Sequence, residues 1–348
     1  MANCLGWRQI QKTLRLLEDN DVFIQYCKDF ADKVSETIDA GYKSGKTEPD
    51  IVEDVSDTIN RVSKIPGTYG KGKKFSLETK ASFIHGYRSQ VMFNVSGCEK
   101  QKELGDIVFI STLAWKRKIA MQRITFNQVK KDRESRKAYW EIPSDQLYLL
   151  TKFPSFTGIK GSIYSGKTFN LISKTGCLGS YGFLTYPNDF GFLSSSILDL
   201  ILSGKASVRK RDLVALYPLI PGQNCFSNSV YPHRSIHYAQ NLFDFIRYFC
   251  NIMIGEYVCC CNYINDPIKR ILDVIINYLD VLSSSASEDQ SLKAVVASLK
   301  HFDNMYSDVF STGDSFDGSG TDRGLPGDNP ENGGFAVIHH ITTIEEDL

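Results

Sequence analysis

A surplus of charge is missing from this chain: 40 lysines and arginines face 40 aspartates and glutamates, for a formal net charge of zero. Net charge therefore gives no push toward nucleic acid or anionic membranes. Long apolar runs are missing as well. No stretch approaches the ~18–20 apolar residues of a membrane span, and the opening MANCLGWRQIQK lacks the apolar centre of a secretory signal. A cytoplasmic protein with no membrane partner is the expectation. Nine cysteines, an odd count, read as free thiols of an intracellular protein. Cys259-Cys260-Cys261 lacks the two-residue gap of a zinc knuckle, and small apolar core residues explain it better. No internal repeat is present, and no Ser-His-Asp or Cys-His set can be singled out.

What is present divides the chain into four parts. Residues 1–66 carry apolar residues at helical spacing, among them Leu14, Leu17, Phe30, Ile51, Val55, Ile59 and Val62, and predict a helical N-terminal segment that stops near Ile65-Pro66-Gly67. Residues 67–175 hold an α/β core: a helix over 76–86 with Ser76 as N-cap, then strands near 90–95, 106–113, 119–130 and 147–152. Residues 176–310 predict a mostly helical C-terminal region, with helices at 194–203, within 236–282 and near 290–303. Residues 311–348 form a Gly/Asp/Pro-rich acidic linker and a terminal strand, FAVIHHITTI. That strand is expected to pair onto a sheet edge, its own or a partner's.

Two neighbouring segments carry the chemistry. In ELGDIVFI, Asp106 opens an apolar run of the kind buried on both faces of a sheet. In QRITFNQVKK, Ile124, Phe126, Gln128 and Lys130 fall at every second position and share one face. A carboxylate, an amide carbonyl and an ammonium gathered at one strand end suit a divalent metal and a phosphate.

The segment from Glu78 to Lys130 resembles the core of the PD-(D/E)XK, or restriction-endonuclease-like, nucleases: a helix bearing an acid, a strand bearing Asp, and a strand bearing Glu- or Gln-x-Lys. The resemblance covers some 55 residues and implies an α/β fold with a restriction-endonuclease-like mixed sheet core flanked by helical N- and C-terminal regions. It implies Mg²⁺ (or Mn²⁺) held by Asp106, the Gln128 side-chain oxygen, the Val129 carbonyl and Glu78. Lys130 would orient or deprotonate the attacking water. Gln128 stands where the best-known members carry glutamate, which weakens metal binding. Glu103, three residues before Asp106, reads as a loop residue, with the part of Glu78 as its alternative.

Basic clusters at Lys71/Lys73/Lys74, Lys116/Arg117/Lys118 and Lys130/Lys131/Arg133/Arg136/Lys137 would rim such a site and suit a phosphate backbone. Tyr139 and Trp140 could stack a base, although core packing is the better reading. GSIYSGKT (161–168) matches the P-loop pattern, with Lys167 and Thr168 in the phosphate and Mg²⁺ positions, but lacks the preceding strand and following helix. His233 and His237 stand at helical metal-ligand spacing near Cys225 and Cys250, with Arg234 where a zinc protease needs glutamate.

The sequence thus predicts a metal-dependent endonuclease acting on DNA, with RNA second, of the kind that serves as effector in prokaryotic defence systems. Its helical regions and C-terminal strand would meet a protein partner or a second copy. The alternative is a non-catalytic nuclease-like scaffold that binds partners.

Overall fold

The computed structural model describes residues 7–115, 118–132, 139–214, 235–258, 266–285, 289–303 and 333–345. Three helices come first: α1 (Trp7–Glu18), α2 (Asp21–Lys43) and α3 (Glu48–Asn60). Asn20 starts α2 by accepting from the amides of Val22 and Phe23. At the start of α3 the Asp50 carboxylate accepts from both the amide and the hydroxyl of Thr47. That cap makes Glu48 the first helical residue, which fixes where its carboxylate projects.

Three hairpins follow, β1 (Ile65–Tyr69) with β2 (Lys73–His85), β3 (Gln90–Val95) with β4 (Cys98–Glu103), and β5 (Ile107–Trp115) with β6 (Lys118–Lys131). Next come β7 (Tyr139–Glu141), α4 (Ser144–Lys152), β8 (Phe156–Gly158), β9 (Thr168–Phe169), β10 (Gly179–Thr185) and β11 (Asp189–Ser194). They are followed by α5 (Ser195–Leu202), β12 (Ser207–Arg209), α6 (Lys210–Val214), β13 (Tyr238–Ala239), α7 (Leu242–Cys250) and β14 (Glu256–Val258). Helices α8 (Pro267–Ser285) and α9 (Gln290–Asp303) precede the last strand, β15 (Gly334–Ile344).

The main sheet runs β1-β2-β15-β5-β6-β10-β11-β13, with β14 also on β6. Pairs β15–β5 and β6–β10 are parallel and the others antiparallel, so the sheet is mixed. Helices cover both faces. One core joins Val108, Ile110, Ile124 and Phe126 to α4, α5, α8 and α9; the other joins Ile107, Phe109, Met121 and Val129 to α1, α2, α3 and α7. The α/β expectation stands, and the segment expected to be helical at the N-terminus holds α1, α2 and α3.

Four expectations are corrected. Residues 76–86 are not a helix but most of β2: Leu77, Thr79 and Ala81 are buried at every second position, a strand period that overrides the helix propensity of Glu, Lys and Ala. Residues 147–152 are not a strand but the end of α4, whose Leu147, Leu149 and Leu150 pack under the sheet. The 176–310 region, helical over α5 to α9, is not a region apart from the core, since it sends β10, β11, β13 and β14 into the same sheet as β5 and β6. The fourth concerns β15. It lies at the centre of the sheet rather than on an edge, between β2 and β5, with hydrogen-bonded neighbours on both sides.

The residues of β15 explain that position. An edge strand exposes polar groups, whereas ten of the eleven β15 residues are buried. Its two histidines are buried with both ring nitrogens bonded: His339 to Thr112 and Ser298, His340 to Thr79 and Thr342. Residues 311–332 of the expected linker lie outside the described residues.

A second buried polar group sits near the other end of β6. Arg123, 1% exposed, donates to Ser235 Oγ and the Gly255 carbonyl, each at 2.7 Å. Glu256, equally buried, supplies an opposing charge and accepts from Ser173 and Thr175. No helix among the described residues is long and apolar enough to cross a membrane.

Candidate functional site

The site lies at the end of the sheet where β5 begins and β6 ends. Asp106 is tied there by its backbone on two sides: its amide donates to the Asn127 carbonyl at 2.9 Å, and its carbonyl accepts from Ala336 of β15 at 2.8 Å. Gly105, just before it, runs against the Asn127 backbone, where a Cβ would come within 3.1 Å. These contacts bring the Asp106 carboxylate over the next strand. Its Oδ2 accepts from Gln128 Nε2 at 2.5 Å and from the Val129 amide at 2.7 Å.

Ile124 and Phe126 pack in the core beneath α4 and α8, so the alternation of β6 carries Gln128 and Lys130 to that same face. Lys130 pairs with Glu48 at 3.5 Å. The other oxygen of Glu48 accepts from the Lys131 amide at 2.6 Å, which anchors the start of α3 to the end of β6. Lys131 turns away, donating to the Lys46 carbonyl at 2.8 Å while its ammonium lies over the Tyr42 ring. Glu103 closes the cluster from the end of β4, hydrogen-bonded to Asp106.

Electrostatics follow from this crowding. Burial, joined by the charge of Glu103, pushes the Asp106 carboxyl well above the usual range, and Lys130 offsets only part of that. Burial also raises Glu103, against the pull of its bond to Asp106 and of Lys130. Left to themselves, the two carboxyls keep a proton that exposed groups would release. Gln128 Oε1 is buried and has no hydrogen-bond partner. A hard cation fits this donor set, because it would occupy the orphaned oxygen and favour ionisation of both acids. Among the described residues no three His, Cys, Asp or Glu side chains form a ready cation cage.

Asp106, Gln128 and Lys130 are therefore brought together, while Glu78 is not. It sits on β2 opposite Ile341, which lies beside Thr112 of β5, six residues along that strand from Asp106, or roughly 20 Å at ~3.3 Å per residue. Its partners are Lys64 and Lys80. Val129 is at the site, its amide donating to the Asp106 carboxylate. The acids beside Asp106 are Glu103, no loop residue but the end of a strand, and Glu48, which the sequence reading passed over. The Thr47-x-x-Asp50 box marks that helix start in the sequence, though nothing local says what it faces.

The basic clusters divide. Lys73 and Lys74, near Ile344 and so at the Trp115 end of β5, lie at the opposite end of the sheet, as does Lys118. Lys116, Arg117, Arg133, Arg136 and Lys137 lie outside the described residues. Trp140 is core, packed on Phe183 at 4.9 Å. The GSIYSGKT segment is the turn joining β8 to β9, with Thr168 in a strand rather than opening a helix, so the P-loop reading falls. His237 is buried and bonds Ser194 at 2.8 Å, with Cys177 at 3.5 Å; Cys250 is buried, and His233, Cys225 and Cys259-Cys260-Cys261 lie outside the described residues. The described cysteines, Cys27, Cys98, Cys177 and Cys250, are free.

Comparison with protein-family models, curated proteins and solved structures finds no match to this chain.

Proposed function

We propose that the chain is a metal-dependent nuclease with the restriction-endonuclease-like core, hydrolysing phosphodiester bonds of DNA, with RNA second. The observation that carries this reading is the convergence of Asp106, Gln128 and Lys130 at one sheet end, with Gln128 Oε1 lacking a partner. The order along the chain supports it: a helix whose first residue is the acid Glu48, a strand led by Asp106, then a strand ending in Gln128-x-Lys130. Glu48 on α3 takes the place first given to Glu78.

Bound at Asp106, Gln128 and Glu103, Mg²⁺ or Mn²⁺ would neutralise phosphoryl charge and acidify a water. The chain's own groups do the rest. Asp106 is held rigid by Asn127 and Ala336 and presents its carboxylate without rearrangement. Lys130, steered by Glu48, offers an ammonium to a phosphate oxygen or to the proton of the attacking water. Glu103 adds a carboxyl able to take up a proton beside Asp106.

The test is cleavage of plasmid, linear and single-stranded DNA with Mg²⁺ or Mn²⁺ by wild type, Asp106→Ala and Lys130→Ala. Cleavage by wild type alone, with both variants folded, supports the reading; equal cleavage by all three overturns it. One observation favours a second reading, a nuclease-like scaffold that binds partners: Gln128 supplies an uncharged amide that already satisfies Asp106. Absence of cation binding by titration would favour it.

A further inference from the structure

Asp106, Gln128 and Tyr181 stand in one row across three neighbouring strands. Gln128 of β6 is paired with Tyr181 of β10, while Asp106 directly precedes Ile107, which is paired with Asn127. At ~4.8 Å between strands, the Tyr181 backbone lies about 10 Å from that of Asp106, with Gln128 midway. Residues opposite one another on paired strands share a face. Tyr181 accordingly packs in the same core as Ile124 and Phe126, on the face that also carries Gln128 and Lys130.

Packing accounts for the ring of Tyr181 but not for its hydroxyl. The ring is fully buried and stacked on Phe183, with centroids 6.3 Å apart and planes 17° from parallel. Phenylalanine would make that contact equally well. A buried phenol usually finds a hydrogen-bond partner, yet among the described residues the Tyr181 hydroxyl has none. The next side chain in the row holds a second orphan, Gln128 Oε1. Burial, and after it the charge of Asp106, raises the Tyr181 phenol, which therefore stays neutral within the field of that carboxylate. Two unpaired polar groups thus flank one another beside a buried acid.

We infer that Tyr181 is a positioning residue of the cation site, its hydroxyl holding a water that a cation bound at Asp106 and Gln128 retains; the inference rests on the cation reading of that site. Mg²⁺ gives up its waters reluctantly and brings several into a site with few protein oxygens. Each of those waters donates its hydrogens and needs acceptors around it. The Tyr181 oxygen is such an acceptor, and its own hydrogen remains free to donate. A neutral group suits the place, since another acid beside Asp106 and Glu103 would raise their carboxyls further.

The experiment titrates the whole chain with Mn²⁺ by calorimetry, without nucleic acid, as wild type, Tyr181→Phe, Tyr164→Phe and Asp106→Asn. Each protein is also melted in EDTA and in Mn²⁺. Tyr164 is the control: a second buried phenol with no partner among the described residues, in the turn joining β8 to β9. Tyr181→Phe is expected to weaken Mn²⁺ binding about 10-fold, the lower scale for a group that orients a metal ligand. Its Tm in EDTA should hold or rise, because the change deletes an orphaned hydroxyl, while its gain of Tm in Mn²⁺ shrinks. Tyr164→Phe keeps wild-type affinity, and Asp106→Asn loses binding.

Wild-type affinity in Tyr181→Phe, with or without a lower Tm in EDTA, overturns the inference and leaves the cation reading standing; the hydroxyl then serves the fold alone. Equal weakening by Tyr164→Phe also overturns it, since the loss would not belong to the row. Absence of Mn²⁺ binding by wild type, or binding that survives in Asp106→Asn, overturns the cation reading and the inference together.

Discussion

Gln128 gives its amide hydrogen to Asp106 and keeps a buried carbonyl oxygen that bonds to nothing. A neutral side chain thus answers the carboxylate on one side, and the cation we propose would meet its oxygen on the other.

Gln128→Glu tests that relationship. A third acid beside Asp106 and Glu103 is expected to destabilise the metal-free protein by about 1–3 kcal/mol, the scale for an uncompensated buried polar group. Added Mg²⁺ or Mn²⁺ should then raise Tm more in the variant than in wild type. Thermal melts in EDTA and in metal check it; a smaller rise in the variant would remove the cation from this position.

Asp106 and Glu103 both hold raised carboxyls, and the sign follows. Their protonated forms are favoured in the fold, so the stability they contribute is full below the ordinary carboxylate range. It is lost as pH rises through the raised values. The Tm difference between metal-free wild type and Asp106→Asn is expected to move against wild type as pH rises from acid toward neutral, which isolates the carboxyl contribution from that of other groups. Divalent cation should abolish that movement, since it favours the ionised pair.

Among the acids, Glu48→Gln and Glu103→Gln are each expected to lower cleavage by about 10²-fold, the lower scale for a positioned acid–base group. Glu78→Gln should leave it unchanged, because Glu78 lies six β5 residues away from Asp106. Initial rates on one DNA substrate decide the matter, with Glu78→Gln as the internal standard.

His339 and His340 are held neutral by burial, their imidazoles pushed down to about 3. A depressed value means stability present above the ordinary histidine range near 6.5 and lost as pH falls toward 3. Acid titration should unfold wild type along that limb, and His339→Gln with His340→Gln should shift the midpoint to lower pH.

Glu256→Ala strands the Arg123 guanidinium without its opposing charge, with an expected loss of about 3–5 kcal/mol. Urea denaturation measures it. Cleavage per folded molecule should not change.

How much of this was legible in the sequence depended on reach along the chain. Asp106, Gln128 and Lys130 belong to one hairpin, so a period of two and an apolar run sufficed to bring them together. Glu48 stands 58 residues before Asp106, and only the packing of α3 against the end of β6 joins them. SLETKASFIHG carries helix-forming residues, yet its burial alternates, and the two flanking strands decide the outcome. FAVIHHITTI announced a strand but not its place. A position between β2 and β5 is a property of partners more than 200 residues earlier in the chain.

The central place of β15 has a consequence in time. Ala336 holds the Asp106 carbonyl, and β15 fills the gap between β2 and β5, so the sheet cannot close until residues 334–344 have left the ribosome. Asp106, Gln128 and Lys130 are all translated some 200 residues earlier and must wait. A nascent chain still tethered to its message therefore carries Asp106, Gln128 and Lys130 but not their finished arrangement, and a broken or stalled transcript yields a chain in which they are never assembled.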